Sequence, residues 1–474
     1  MTSFARRARL AALGTVVLAL ALPGTASAHG LVGKQDLPIP RWLFAWAAAV
    51  VLVASFVGLA VLWSKPRLQQ LVERRRFGIP RVLEVLVGAL GVAAFVFFVY
   101  AGFAGTQTDT ANILPTIIYV YFWVGIPFLS AVFGDVFRAF NPWLAIGKAT
   151  GWAAKRLGGE VSAEPLPYPP WLGRWPAVVG VLVFAWVELV YANRDDPSQL
   201  SIMALAYAAT QLVGMSLYGV EAWSNRGDAF GVYFGLFARV SPLHWRDRAL
   251  YTRPLLGGCP SLTPVAGTVA LLCTMIGTTS FDGFSQGTIW NSIVPHLQDF
   301  FGSLGLNAEH ALEWAGTVGI VVMCLFIRLL YRLGIMGMET VGRRRPASEL
   351  AGSFAHTLIP IALAYVVAHY FSLLAYNGQA IAALASDPLG TGSDLLGTSD
   401  VAINYTWVSA TGIWYVQVAA LVLGHVAGLT LAHDRALSVY AKARDATRSQ
   451  YWMLAVMVAF TSLGLWLLSA AAQQ

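Results

Sequence analysis

Four of the eight histidines sit inside two consecutive apolar stretches. His356 and His369 lie in FAHTLIPIALAYVVAHYFSLL, and His425 and His433 in YVQVAALVLGHVAGLTLAHDRAL. An ionisable side chain in such a stretch is costly in a bilayer, so it marks a functional candidate. Imidazole can exchange a proton near neutral pH or ligate a metal. Spacing narrows the choice. His356 and His369 stand 13 positions apart, about 20 Å along a helix at 1.5 Å per residue. His425 and His433 stand 8 apart, about 12 Å. The four therefore cannot form one mononuclear site. The unequal separations also disfavour a pair of haems held between the two helices, while a single haem fits the spacing. The competing role is hydrogen bonding between helices, which suits His356 and His433 best. His433 also belongs to a His-Asp-Arg run at the end of its stretch.

A second group of candidates lies where apolar runs meet polar loops. Glu188 closes one run, Asp282 follows another in TTSFDGF, and His296 and His310 occupy the loop beyond it. Asn404 and Tyr405 open the stretch that carries His425. Imidazole and carboxylate together suit zinc or a similar divalent ion. Such an ion would activate a bound water, with Asp282 or Glu188 positioning it. The expected ligands are His29, His369, His425, His296 and His310. No HExxH and no Cys-His cluster holds them together locally, so the fold must do so. Cys259, Cys273 and Cys324 form no CxxC and no disulfide framework. Walker A, GxGxxG and GxSxG motifs are also missing, which leaves ATP-driven pumping and a serine-hydrolase elbow without support.

The elements that must position these residues are membrane helices. Of 474 residues, 57% are hydrophobic and only 12% charged, against about 25% charged in soluble domains. Seventeen Trp fit bilayer interfaces. Residues 1–28 have the three parts of a secretory signal: Arg6, Arg7 and Arg9, then Leu10 to Leu22, then Ala26-Ser27-Ala28. Cleavage there lowers the formal charge from +7 to +4 and leaves His29 as the terminus, with an α-amine and an imidazole able to chelate one copper ion. Ten further runs approach the roughly 20 residues a spanning helix needs: 42–63, 81–104, 114–134, 175–192, 200–220, 262–280, 313–334, 353–375, 407–430 and 452–471. Basic loops at 65–76, 138–156, 226–253, 343–345 and 435–448 alternate with acidic or polar ones. By the positive-inside rule the basic loops are cytoplasmic. Both termini of the processed chain and the long loops 281–312 and 376–406 then lie outside, as does the outer-half residue His369. The charge sits in short loop blocks, so nucleic acid is not an expected partner. The fold class is an all-α polytopic transmembrane bundle. His244, in SPLHWRDR, reads as surface.

There is an internal echo. GDVFRAFNPW (134–143) and GDAFGVYFGLFARVSPLHW (227–245) both begin Gly-Asp-x-Phe, as a repeated pair of spans would. These segments, with YFWVGIPFLSAVFGDVFRAFNPW (121–143), TTSFDGF (278–284) and GHVAGLTLAHDRAL (424–437), resemble a bacterial integral membrane family known as fenitrothion hydrolase or its membrane subunit. The resemblance implies hydrolysis of organophosphorus triesters with release of a nitrophenol, and a second membrane subunit as partner. It brings no catalytic motif to transfer, so the site residues above rest on this sequence alone. The expected function is a metal-assisted, membrane-embedded hydrolase of lipophilic phosphotriester-like substrates. The alternatives are a copper- or other metal-handling membrane protein or transporter, and a haem-linked redox or assembly subunit.

Overall fold

The computed structural model describes residues 41–157, 164–342 and 345–471. The proposed signal segment and His29 lie outside them. Helices dominate: α1 (Arg41–Leu62), α2 (Arg81–Ala104), α3 (Ile113–Phe133), α4 (Val136–Phe140), α5 (Pro142–Leu157), α6 (Trp175–Leu189), α7 (Pro197–Tyr218), α8 (Val220–Ser224) and α9 (Ala229–Phe237) form the first half. The second half holds α10 (Thr268–Ser285), α11 (Thr288–Ser303), α12 (Ala308–Glu339), α13 (Ala347–Ser386), α14 (Ala410–Val439), α15 (Ala443–Ser449) and α16 (Tyr451–Ala471). Each of the ten apolar runs coincides with a helix. Six of these helices, α2, α3, α7, α12, α13 and α14, are long and apolar enough to cross a membrane. The chain is thus a multi-pass helical membrane protein, as its composition indicated.

The basic loops are not all loose. At the basic end β1 (Arg74–Gly78), β2 (Leu243–Arg246) and β3 (Ala249–Thr252) make an antiparallel sheet ordered β1-β3-β2. The two Gly-Asp-x-Phe echoes do not remain in that layer either. The Phe140 carbonyl presses against Gly91, near the middle of α2, leaving no room for a Cβ. Asp228 bonds to Tyr207, midway along α7. Both segments therefore turn back into the bundle as short half-depth helices. In each the Asp caps a helix N-terminus: Asp135 accepts from the Arg138 amide at 3.1 Å and Asp228 from the Gly231 amide at 3.1 Å. An N-cap carboxylate satisfies an amide that the helix itself cannot.

Two features place the chemistry. First, α10 is buried at every residue from Leu271 to Phe281, and its Thr278 and Thr279 hydroxyls donate back to carbonyls of their own helix. It packs among α6, α12, α13 and α16. Secondly, α13 and α14 meet over Gly424 and Gly428. A Cβ at Gly424 would sit 2.2 Å from that of Ala364. Small residues four apart let two membrane backbones approach closely. This contact sets α13, the helix that carries His369, closely against α14.

Candidate functional site

At the end of α10 nearest the acidic loops, the chain carries Asp282 towards α13. The His369 Nε2 lies 2.8 Å from Asp282 Oδ2. The two side chains keep 22% and 14% of their surface exposed, so the pair is reachable. Gly283 adjoins the other ring nitrogen: a Cβ there would stand 3.5 Å from Nδ1, and anything longer would crowd it. The carboxylate thus engages Nε2, and no hydrogen bond within the described residues occupies Nδ1.

Tyr370, the next residue on α13, interacts with both Asp282 and Glu188. Glu188 approaches from α6. Its Oε2 is buried without a hydrogen-bond partner, and so is the Trp123 Nε1 of α3 beside it. Trp123 stacks on Tyr233 with ring centroids 4.7 Å apart. Here α3 widens into a π-helical stretch, Ile117–Gly125, bracketed by Pro115 and Pro127. Proline lacks the amide that would continue the regular ladder, and π turns recur at functional sites. The Tyr121 hydroxyl, from the same stretch, donates to the Gly378 carbonyl at 2.5 Å, tying α3 to α13 just beyond the site. Arg194 donates to the Glu188 carbonyl at 3.3 Å and lends its charge to both acids.

The loop after α13 folds over this end. The Ser386 hydroxyl donates to Asp394 at 2.5 Å and the Ser399 amide at 3.1 Å. These bonds, the Ser386 one first, hold the Asp394 carboxyl below the usual carboxylate range. The Thr106 amide donates to the Leu389 carbonyl at 2.8 Å, so this loop is pinned to the turn between α2 and α3.

Of the residues singled out from sequence, Asp282, His369 and Glu188 come together. The wider ligand set does not. His296 is exposed on α11, and His310, exposed on α12, pairs with Glu313 at 3.1 Å. His425 is enclosed between Tyr365 and Phe460, with Nδ1 2.8 Å from the Leu421 carbonyl. Among the described residues no three His, Cys, Asp or Glu side chains gather as metal ligands. Of the expected ligands, His369, His425, His296 and His310 stand on α13, α14, α11 and α12, and His29 lies outside the described residues. His356 is buried, with Nε2 unpartnered.

The His433-Asp434 run is buried rather than solvated. His433 Nε2 lies 3.0 Å from the Trp63 carbonyl and Nδ1 3.2 Å from the Gln450 amide nitrogen, so both ring nitrogens are engaged. Asp434 accepts from the Trp63 indole, the Arg67 and Leu68 amides and Gln69. This run is a clasp for the 63–69 segment. Tyr370 and Trp123 are the site residues that sequence reasoning missed. Only the position of Tyr370 beside His369 could have signalled it.

No family model matches this chain, and neither a curated protein nor a solved structure does so.

Proposed function

We propose that this chain is a membrane-embedded hydrolase of lipophilic phosphotriester-like substrates, with His369 as general base and Asp282 as the residue that orients it. The observation supporting this reading is the 2.8 Å His369–Asp282 pair at a partly open position. Asp282 accepts the Nε2 hydrogen, which leaves the lone pair on Nδ1. A carboxylate orienting a catalytic imidazole in this way fixes its tautomer and steadies the imidazolium that forms. A water at Nδ1 gives up its proton as its oxygen attacks phosphorus. The aryloxide leaves with the electron pair of the broken P–O bond. A nitrophenolate-like group is stable as an anion and needs no general acid. The imidazolium then returns its proton to water. No step passes through zinc, copper or haem.

In this reading ten helices span a bacterial-type plasma membrane and the basic end faces the cytoplasm, so the dyad opens to the outer side. Greasy substrate enters from the bilayer, and a second subunit is an added partner implied by the resemblance. A transporter is the second reading. It is favoured by the inward run from His369 through Asp282 and Tyr370 to the unpartnered Glu188 oxygen, a series of groups able to pass a proton.

Purified protein in nanodiscs should turn over a chromogenic phosphotriester, and metal analysis of the same sample checks whether an ion is required. His369→Ala should abolish turnover in protein that still inserts and purifies, while His356→Ala keeps most of it. Full activity in His369→Ala would falsify the assignment. Proton-coupled uptake without hydrolysis in the unmodified protein would favour the transporter.

A further inference from the structure

At the basic end, away from the dyad, a groove of about 490 Å³ opens between the start of α6 at Trp175, the Pro264–Ala270 segment, α12 at Arg328 and the start of α13. Arg328 is exposed, and among the described residues it makes no ion pair or hydrogen bond. Its helix neighbours Val321, Leu325 and Leu329 are exposed as well, at 47%, 58% and 52%. An apolar helix face this open in a membrane protein meets lipid tails. Arg328 therefore projects a full charge from the lipid boundary, where it must find a counter-charge or water.

The groove offers more than a charge. Trp175, 44% exposed, lines it, and indole favours the headgroup level. Ser348 and Ser353 line it with hydroxyls that make no hydrogen bond among the described residues. The carboxylate that also lines it, Glu349, is engaged by Arg345 at 2.7 Å, so it does not cancel Arg328. Behind the wall, Arg174 donates to the Thr268 hydroxyl at 2.6 Å and keeps its own Nε buried without a partner. The remaining lining is apolar, including Val265, Val269 and Ala351. A free ion gains nothing from that surface, whereas a lipid places its glycerol and upper chains against it.

We propose that this groove holds the headgroup of an anionic phospholipid, with Arg328 as the ion partner of its phosphate. The inference is independent of the hydrolase reading. Native mass spectrometry of the full-length purified protein, titrated with phosphatidylglycerol and phosphatidylcholine, tests it. The unmodified protein should retain the anionic lipid preferentially. Arg328→Gln should weaken that retention about fivefold, the effect of one basic residue at an anionic surface. Arg332→Gln, one turn along and outside the groove, should leave it unchanged. Ser348→Trp fills the groove from an exposed position and should reproduce the loss without touching the charge. An unchanged lipid preference in Arg328→Gln and Ser348→Trp overturns the proposal. So does displacement of the lipid by inorganic phosphate, which would make this a site for the free anion.

Discussion

Two aspartates, one enclosed and one at a partly open edge, show how partners decide a carboxylate's role. Asp228 is fully enclosed and takes four donors: the Asn141 amide, the Trp143 indole and the Tyr207 hydroxyl, each at 2.8 Å, and the Gly231 amide at 3.1 Å. Its acceptor sites are filled by groups that are themselves fixed. Asp282 holds one imidazole and shares Tyr370 with Glu188, whose Oε2 has no partner. A saturated buried network rigidifies a core, and an unsaturated one is where chemistry or error resides. The first aspartate joins α7, α9 and the α4–α5 turn. The second leaves an imidazole nitrogen ready for a proton.

The comparison predicts opposite failures. Asp282→Asn should cost activity on the order of 10²–10⁴-fold, the range of a lost general base, because an amide that turns its NH₂ to Nε2 favours the wrong tautomer. Thermal stability should change little, as the pair lies at a partly open edge. Measuring turnover and melting midpoint on one preparation decides it. Unaltered turnover would remove Asp282 from the mechanism, and a large loss of stability would make it a second Asp228.

Asp228→Ala should do the reverse. It strands three buried side-chain donors, each costing about 1–3 kcal/mol when unsatisfied. The protein should insert poorly or melt far lower, and any folded fraction should keep its turnover per molecule. Normal melting with lost turnover would break the contrast, because Asp228 would then belong to the site.

How much of this was legible follows from what sequence encodes locally. Apolar runs fix helices, because in lipid a backbone must satisfy itself, and all ten runs are helical. Loop charge placed Asp282 and His369 at the same end, so their pairing was within reach. The echo at Gly134 and Gly227 was visible, but its descent into the bundle was not, since that depends on Gly91 yielding to Phe140. That His425, His296 and His310 do not gather with His369 among the described residues was hidden for a related reason. A helix reports which residues share its face and says nothing of the neighbour's rotation. The clasp role of Asp434 was hidden because its partners, Trp63 to Gln69, lie some 365 or more positions away.

The smallest expected effect tests whether a His–carboxylate pair suffices to make a site. His244 Nδ1 lies 2.5 Å from Glu73 Oε1 at the basic end, closer than the 2.8 Å between His369 and Asp282. Yet Glu73 is shared with Arg246 at 3.4 Å and Arg253 at 3.9 Å, so the pair belongs to the joint between the 65–76 loop and the sheet. Burial, aided by the Arg253 and Arg246 charges, holds His244 below the ordinary imidazole value despite the bond to Glu73. The sign follows. The folded protein keeps this ring neutral, while the unfolded chain takes up a proton below about pH 6.5. Stability from the neutral ring is therefore present above that pH and lost as pH falls towards the lower folded value. Melting midpoints should drop on acidification below about pH 6.5, and His244→Asn should flatten part of that slope while leaving turnover at neutral pH intact. An identical slope in the variant would show that His244 contributes nothing to it. A loss of turnover at neutral pH would instead tie the basic-end joint to the proposed site at Asp282 and His369.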